Sequence, residues 1–301
     1  MSWFRKNLST IFLFFALFAG LGLLLYPTFS DYWNSLHQSR AIAGYAEQVS
    51  QIEDIDYAQL LQEAEAYNKS LLEKEGTRYL LTDEEREEYE SLLNISGNGV
   101  MGYINIPKIN ISLPVYHGVD ESVLQVAVGH IEGTSLPVGG KGTHSVLSGH
   151  RGLPSARLFT DLDELEKGDI FFLMILDETL SYEVDQIRIV LPTELSDLEI
   201  DEEKDLCTLV TCTPYGINTH RLLVRGHRVE NPEEQPVVRV SADAFMIDPV
   251  LVAPLAAVPL ILLLLLLLLI SSRRGTLHGR ALRKAREEQR ELEAAYEERN
   301  E

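Results

Sequence analysis

Cysteine is almost missing from this chain: its 301 residues hold two, Cys207 and Cys212. A small disulfide-stapled scaffold is thereby excluded, and the chain is long enough to rest on an ordinary hydrophobic core. Positive charge is also short. Lys and Arg number 26 against 46 Asp and Glu, a formal net charge of −20, so phosphate backbones are repelled and nucleic acid is excluded as a partner. Internal repeats and low-complexity linkers are absent as well, which excludes solenoid architectures. The acidic runs, such as Asp83–Glu84–Glu85 and Asp201–Glu202–Glu203, read as solvated surface.

Long uncharged runs are present twice. Ile11 to Tyr26 ("IFLFFALFAGLGLLLY") follows Arg5 and Lys6, and with its flanks it approaches the ~20 residues a helix needs to cross a bilayer. A cleaved signal peptide is the competing reading; no small-x-small cleavage site follows, which favours a retained anchor. Val250 to Ile270 contains "LILLLLLLLLI" and is followed by Arg273, Arg274, Arg280, Arg283 and Lys284, the positive flank expected on the cytoplasmic side. The expected organisation is therefore a cytoplasmic N-terminus (1–10), a span (11–26), an external region, a linker (233–249), a second span (250–270) and a charged cytoplasmic tail (271–301). The basic half of that tail suits anionic lipid head groups.

Between the spans two textures alternate. Asp31 to Leu72 carries apolar residues at helical steps (Trp33, Leu36, Ile42, Tyr45, Val49, then Tyr57, Leu60, Leu61, Ala64, Tyr67), which predicts helices, with Asp54 or Asp56 capping the second. "LTDEEREEYESLL" predicts a short helix beginning at Thr82, inside an external helical and covering region that spans 31–96. From Gly97 onward alternation, β-branched residues and Gly/Pro punctuation predict short strands: within "GVMGYINIPKINISLPVYHG", then Ser145–Ser148, Ile170–Ile175, Leu180–Val190, Leu206–Cys212 and Arg221–Val229. "SVLQVAVGH" and "SARLFTDLDEL" predict short helices. Many short strands with few helices make the 97–232 region mainly β, a closed or nearly closed β-barrel.

"TLVTCTPYGINTHRLLVRGHR" (208–228) holds the most informative pattern. An apolar strand ends on Cys212, turns, and resumes as a strand at Arg221. Cys207 and Cys212 lie five positions apart in one strand, about 16 Å, too far for a disulfide, and odd spacing sends their side chains to opposite faces. Both are expected as free thiols. A thiolate needs a partner to take its proton and a donor to steady the oxyanion formed on a carbonyl. His150, in "SVLSGHRG", stands at the end of a strand in a glycine-flanked turn, and Arg221 returns beside Cys212. Taken singly, such a histidine or arginine is ordinary loop or surface polarity. His144 lies near His150 in sequence, but no second and third ligand accompany it. No metal site is expected, and Cys207 reads as a packed core thiol.

These motifs resemble those of the sortases, the cysteine transpeptidases of Gram-positive cell surfaces, and within them class C, the pilin polymerases. "GYINIPKINISLPVYHG", "GHIEGTSLPVGGKGTHSVLSGHRG" and "LFTDLDELEKGD" match that class in order, and the resemblance covers about residues 31–229. It implies a closed sortase-type barrel of about eight strands, with N-terminal helices and flanking transmembrane helices. Cys212 would be the nucleophile, His150 the general acid/base and Arg221 the oxyanion-stabilising residue, and Val210 would belong to the apolar wall of the substrate groove. It implies no cofactor and no metal. The partners implied are pilin subunits with a Leu-Pro-x-Thr-Gly-like sorting signal and an acceptor lysine. A sortase that attaches proteins to cell-wall precursor, a surface cysteine protease and a non-catalytic adhesin are the other readings. One departure stands out: the Asp-Pro-aromatic lid motif of many class C enzymes is missing from "EKEGTRYLLTDEEREEYES". Either the lid is absent or a segment such as Tyr79–Leu81 closes the groove.

Overall fold

The short strands expected after Gly97 are two, a hairpin-like pair of β1 (Val100–Ile106) and β2 (Ile111–His117), turned by Pro107–Ile109 and Asn110 in the left-handed conformation. The computed structural model describes residues 2–232 except 53 and 75, together with 286 and 290. The expected linker (233–249) and second span (250–270) lie outside the described residues, as does the tail (271–301) apart from those two positions.

Six further strands follow: β3 (Val128–His130), β4 (Thr143–Ser148), β5 (Ile170–Ile175), β6 (Glu178–Val190), β7 (Asp205–Thr213) and β8 (His220–Val229). They close in the order β1-β2-β3-β4-β7-β8-β6-β5. β5 returns to pair antiparallel with β1, so neither edge is left unpaired. Two neighbouring pairs, β2–β3 and β4–β7, run parallel. The closed eight-stranded barrel with N-terminal helices agrees with the sequence reading. Where the sequence predicted a helix in "SVLQVAVGH", a single turn, α4 (Glu121–Leu124), gives way to β3. Strand pairing overrides local propensity there: β3 bridges β2 and β4. Gly129 permits it, because a Cβ at that position would stand 2.2 Å from the Gly118 carbonyl oxygen. "SARLFTDLDEL" likewise yields only a 3-10 turn at Leu162–Glu164.

The helices pack on the barrel through single polar anchors set in apolar surroundings. α1 (Ser2–Val49) runs unbroken through Pro27; the buried Tyr45 hydroxyl donates to the Met101 carbonyl at 2.9 Å and accepts from the Leu176 N–H at 2.8 Å. α2 (Asp54–Glu73) presents Asn68, whose amide bonds both the carbonyl and the N–H of Leu136. α3 (Asp83–Ser91) begins at Thr82 as expected, with a reciprocal capping box between Thr82 and Glu85. Its fully buried Tyr89 accepts from the Gly118 N–H at 3.0 Å and meets His130 Nδ1 at 2.9 Å. Each anchor satisfies polar groups that would otherwise be buried unpaired, at a cost of about 1–3 kcal/mol apiece.

Alternation along β7 sorts the strand between two cores. Cys207 and Leu209 point into the barrel with Leu222, Val224, Phe171 and Leu173. Val210 belongs to a separate cluster with Val146, Val190, Leu198 and Leu223, flanked by Ile131. That second cluster lies on the outer face of the β4–β7–β8 sheet. Burying each of its aliphatic side chains is worth about 1.5–3 kcal/mol.

Candidate active site

Two strand registers, and the bonds that continue one of them, bring the candidate residues to one end of the sheet. In the antiparallel β7–β8 pair, Cys212 stands directly opposite Arg221, and Val210 opposite Leu223. Directly opposed residues share a face, with Cβ atoms about 4.5–5.5 Å apart. In the parallel β4–β7 pair, Ser148 is level with Val210. The ladder continues past the strand end: the Gly149 N–H donates to the Val210 carbonyl at 3.0 Å, and the Thr211 hydroxyl donates to the Gly149 carbonyl at 2.8 Å. His150 follows Gly149 directly, as Cys212 follows Thr211, so these bonds bring the backbone at His150 alongside the end of β7 that carries Cys212. All three candidates are partly exposed.

Local sequence explains the placement. A Cβ on Gly149 would lie 2.7 Å from the Phe159 ring, so only glycine lets the chain turn there and present His150. Gly152 has a positive φ, and a side chain on it would strike the Tyr215 ring at 2.7 Å. Tyr215 therefore rests on the turn that follows His150 and ties it to the β7–β8 loop. That loop bends through Gly216 and Asn218, both at positive φ. Arg221 donates through one terminal nitrogen to the His220 carbonyl at 3.1 Å and the Asn218 carbonyl at 3.3 Å. These two bonds steady the guanidinium while leaving other donors of its planar fork unused by them.

Beneath this trio runs an apolar floor. Val210, buried, packs with Val146, Val190 and Leu223, and Leu198 from the 3-10 turn Ser196–Leu198 covers the same cluster. The floor ends at His144, which shares the face but not the chemistry. Its Nδ1–H donates to the Glu199 carbonyl at 2.8 Å and its Nε2 accepts from the Thr208 hydroxyl at 2.7 Å. Burial pushes its pKa down to about 4, and burial does the same to His130. Cys207 is likewise sealed, its thiol held well above the ordinary range by burial and then by the Asp205 charge. Both cysteines are free. Among the described residues no group of three or more His, Cys, Asp or Glu is placed to hold a metal ion.

Two features escaped the sequence reading. Glu121, on α4, places a carboxylate oxygen 3.7 Å from His150 Nε2, and its other oxygen accepts from the Gln125 amide. A Glu–Gln pair at i,i+4 in "ESVLQ" was the available signal, but only the fold brings it to His150. The second is Arg78, whose side chain is 4% exposed and paired with Glu199 at 2.9 Å. It also donates to the Leu198 carbonyl and lies over the Tyr79 ring. The polar contacts of the Arg78 side chain thus go to the 196–199 turn and to the Tyr79 hydroxyl, and among the described residues none goes to Cys212, His150 or Arg221.

A Sortase domain model matches residues 104–229, a range containing all three candidates. The chain is 55% identical to the crystal structure of sortase C1 from Streptococcus agalactiae, covering 64% of this chain and 100% of that one with a TM-score of 0.61. The sortase C1 of GBS Pilus Island 1 is 42% identical, with 65% and 93% covered and a TM-score of 0.57. Sortase D of Bacillus subtilis (strain 168) is 32% identical over 174 residues, 57% of this chain and 83% of the relative. The chain belongs to the sortase family. Within that family it is a class C sortase, and it is an enzyme of the transpeptidase/hydrolase kind. One N-terminal helix of this sortase, Phe12–Val49, is long and apolar enough to span a membrane.

Proposed function

We propose that this sortase joins pilin subunits by cysteine transpeptidation at the outer membrane face. The Cys212 thiolate attacks the Thr–Gly carbonyl of a Leu-Pro-x-Thr-Gly-like sorting signal, and Arg221 donates to the oxyanion that forms. His150, protonated, gives its proton to the departing glycine amine as the C–N bond breaks, leaving a Thr thioester on Cys212. A lysine amine of another pilin subunit then attacks the thioester, its proton returning to His150, and an isopeptide bond forms while the thiolate leaves. Val210 and the apolar floor around it receive the nonpolar part of the signal. Glu121 is a positioning residue: its carboxylate, steadied by Gln125, stands against the His150 ring and orients it.

The observation that supports this reading is that Cys212 stands opposite Arg221 in the β7–β8 register, while the β4–β7 register and the Gly149–Val210 bond lead the chain at His150 to the same strand end. The test is intact-mass spectrometry of the full chain with a Leu-Pro-x-Thr-Gly peptide, with and without a lysine-bearing pilin fragment. The expected result is an acyl adduct that depends on Cys212 and moves to the lysine amine. Release only to water would favour a cysteine protease, and transfer to a cell-wall peptide amine instead of pilin would favour the wall-attaching reading.

A further inference from the structure

Three observations on α1 concern the end of the barrel where Cys212 sits. The apolar run closes at Tyr26, and the same unbroken helix then bonds the loops around His150. Asp31 accepts from the Arg157 N–H at 2.7 Å, Asn34 donates to the Ser155 carbonyl at 2.8 Å, and Gln38 donates to the Val126 carbonyl at 2.7 Å. At ~1.5 Å per helical residue, Asp31 and Asn34 stand only about 7 and 12 Å beyond Tyr26. Phe29, Tyr32 and Trp33 are exposed at that level, with Phe29 and Trp33 stacked, the aromatic arrangement that settles at a membrane–water interface.

Independently, exposed apolar side chains of the barrel gather at the same end. Tyr215 (62% exposed) and Ile217 (68%) project from the β7–β8 loop directly after Cys212. Ile189 (63%) and Leu191 flank Val190, which pairs with Arg221, and Val126 caps the α4 turn that Gln38 bonds. The opposite end, where β4 and β7 begin, carries Lys141, Glu203 and Lys204 in open ion pairs instead. The catalytic end also holds charged groups, among them Glu121 and the Arg151–Asp163 and Arg157–Asp161 pairs, so its exposed apolar and aromatic side chains stand among polar ones, the mixture suited to the head-group level of a bilayer.

We infer that this sortase docks its catalytic end on the lipid bilayer surface, with α1 as a rigid post and the Tyr215–Ile217 loop in contact with the head-group region. The surface it fits is lipid and not a basic-patch site, since the contact is apolar and aromatic and the chain is strongly acidic. If the proposed function holds, the groove meets sorting signals as they emerge from the membrane, close to whatever span tethers the substrate.

The test needs no activity and so stands apart from that reading. In full-length Cys212→Ala protein in phosphatidylcholine vesicles, a fluorophore is attached at Ile217→Cys or, separately, at Glu203→Cys, and lipids with a nitroxide head group are added as quencher. Quenching at least twofold stronger at position 217 than at 203, unchanged by high salt, is expected. A flexible Gly/Ser insertion between Ser30 and Asp31 leaves the α1 contacts in place but releases the post; it should reduce the 217 signal toward the 203 level. Equal quenching at both positions, or 217 quenching that the insertion leaves untouched, overturns the inference. Fluorescence at 217 that responds to protein density and not to nitroxide lipid also overturns it, in favour of a second copy covering this end.

Discussion

Cys207 and Cys212 share a strand, a residue type and a pair of flanking strands, yet they live in different chemistry. Cys207 faces the barrel interior, fully buried and held protonated, while Cys212 is partly exposed and stands opposite Arg221. The same contrast recurs on β4 and its extension. His144, on β4, is covered by the 196–199 turn and saturated by Glu199 and Thr208, whereas His150, just past the strand end, is partly exposed beside Glu121. Burial and bonding partners here are set by position along the sheet and by which face the pleat presents. The residue type supplies only the potential for reactivity.

The largest expected effect separates the cysteines. Cys212→Ala should lower acyl transfer on the order of 10⁴–10⁶-fold, as nucleophile removal does in other covalent enzymes, while Cys207→Ala should stay within about twofold; peptide-cleavage rates check both. Next come the histidines. His150→Ala should cost about 10²–10⁴-fold in rate with little change in Tm. His144→Ala should do the reverse, lowering stability by about 1–3 kcal/mol through the unpaired Thr208 and Glu199 groups, with the rate nearly kept. An equal rate loss in both would erase the distinction between the open and covered ends of the groove.

Acid should expose the buried pair. His130 and His144 titrate near pH 4 in the folded protein against about 6.5 when unfolded. The unfolded chain binds more protons between those values, so their contribution is fully present above about pH 6.5 and is lost as pH falls toward 4. Thermal melts should show Tm falling across that window, and His144→Gln should flatten part of the fall. The smallest effect concerns Glu121, an exposed partner. Glu121→Gln should slow acyl transfer by no more than about fivefold at low salt, the range of a surface ion pair, and the deficit should vanish in high salt. A salt-independent loss would assign Glu121 a role other than charge.

Much of this architecture was legible in the sequence. The five strands expected with stated bounds match within three residues at each end, because alternation and Gly/Pro punctuation report pleat and turn directly. The Thr82 start of α3 was readable from its capping box. β3 was not, since three residues whose pairing partners lie on two other strands leave no local pattern. Opposite faces for Cys207 and Cys212 followed from odd spacing, and Cys212 beside Arg221 from the turn between them. His150 could be nominated but not placed: its level on the sheet depends on a parallel β4–β7 register that no local signal encodes. Glu121 and Arg78 act through contacts 29 and 121 residues away in sequence, beyond the reach of any spacing rule.

The contrast between the two thiols is the central claim, and one measurement meets it directly. The native full-length chain is treated with a small thiol alkylator at neutral pH, and intact mass and peptide mapping follow the adducts with time. The account predicts a single adduct, on Cys212, with Cys207 labelled only after unfolding. Labelling of Cys207 in the folded protein, or of both at similar rates, would contradict it.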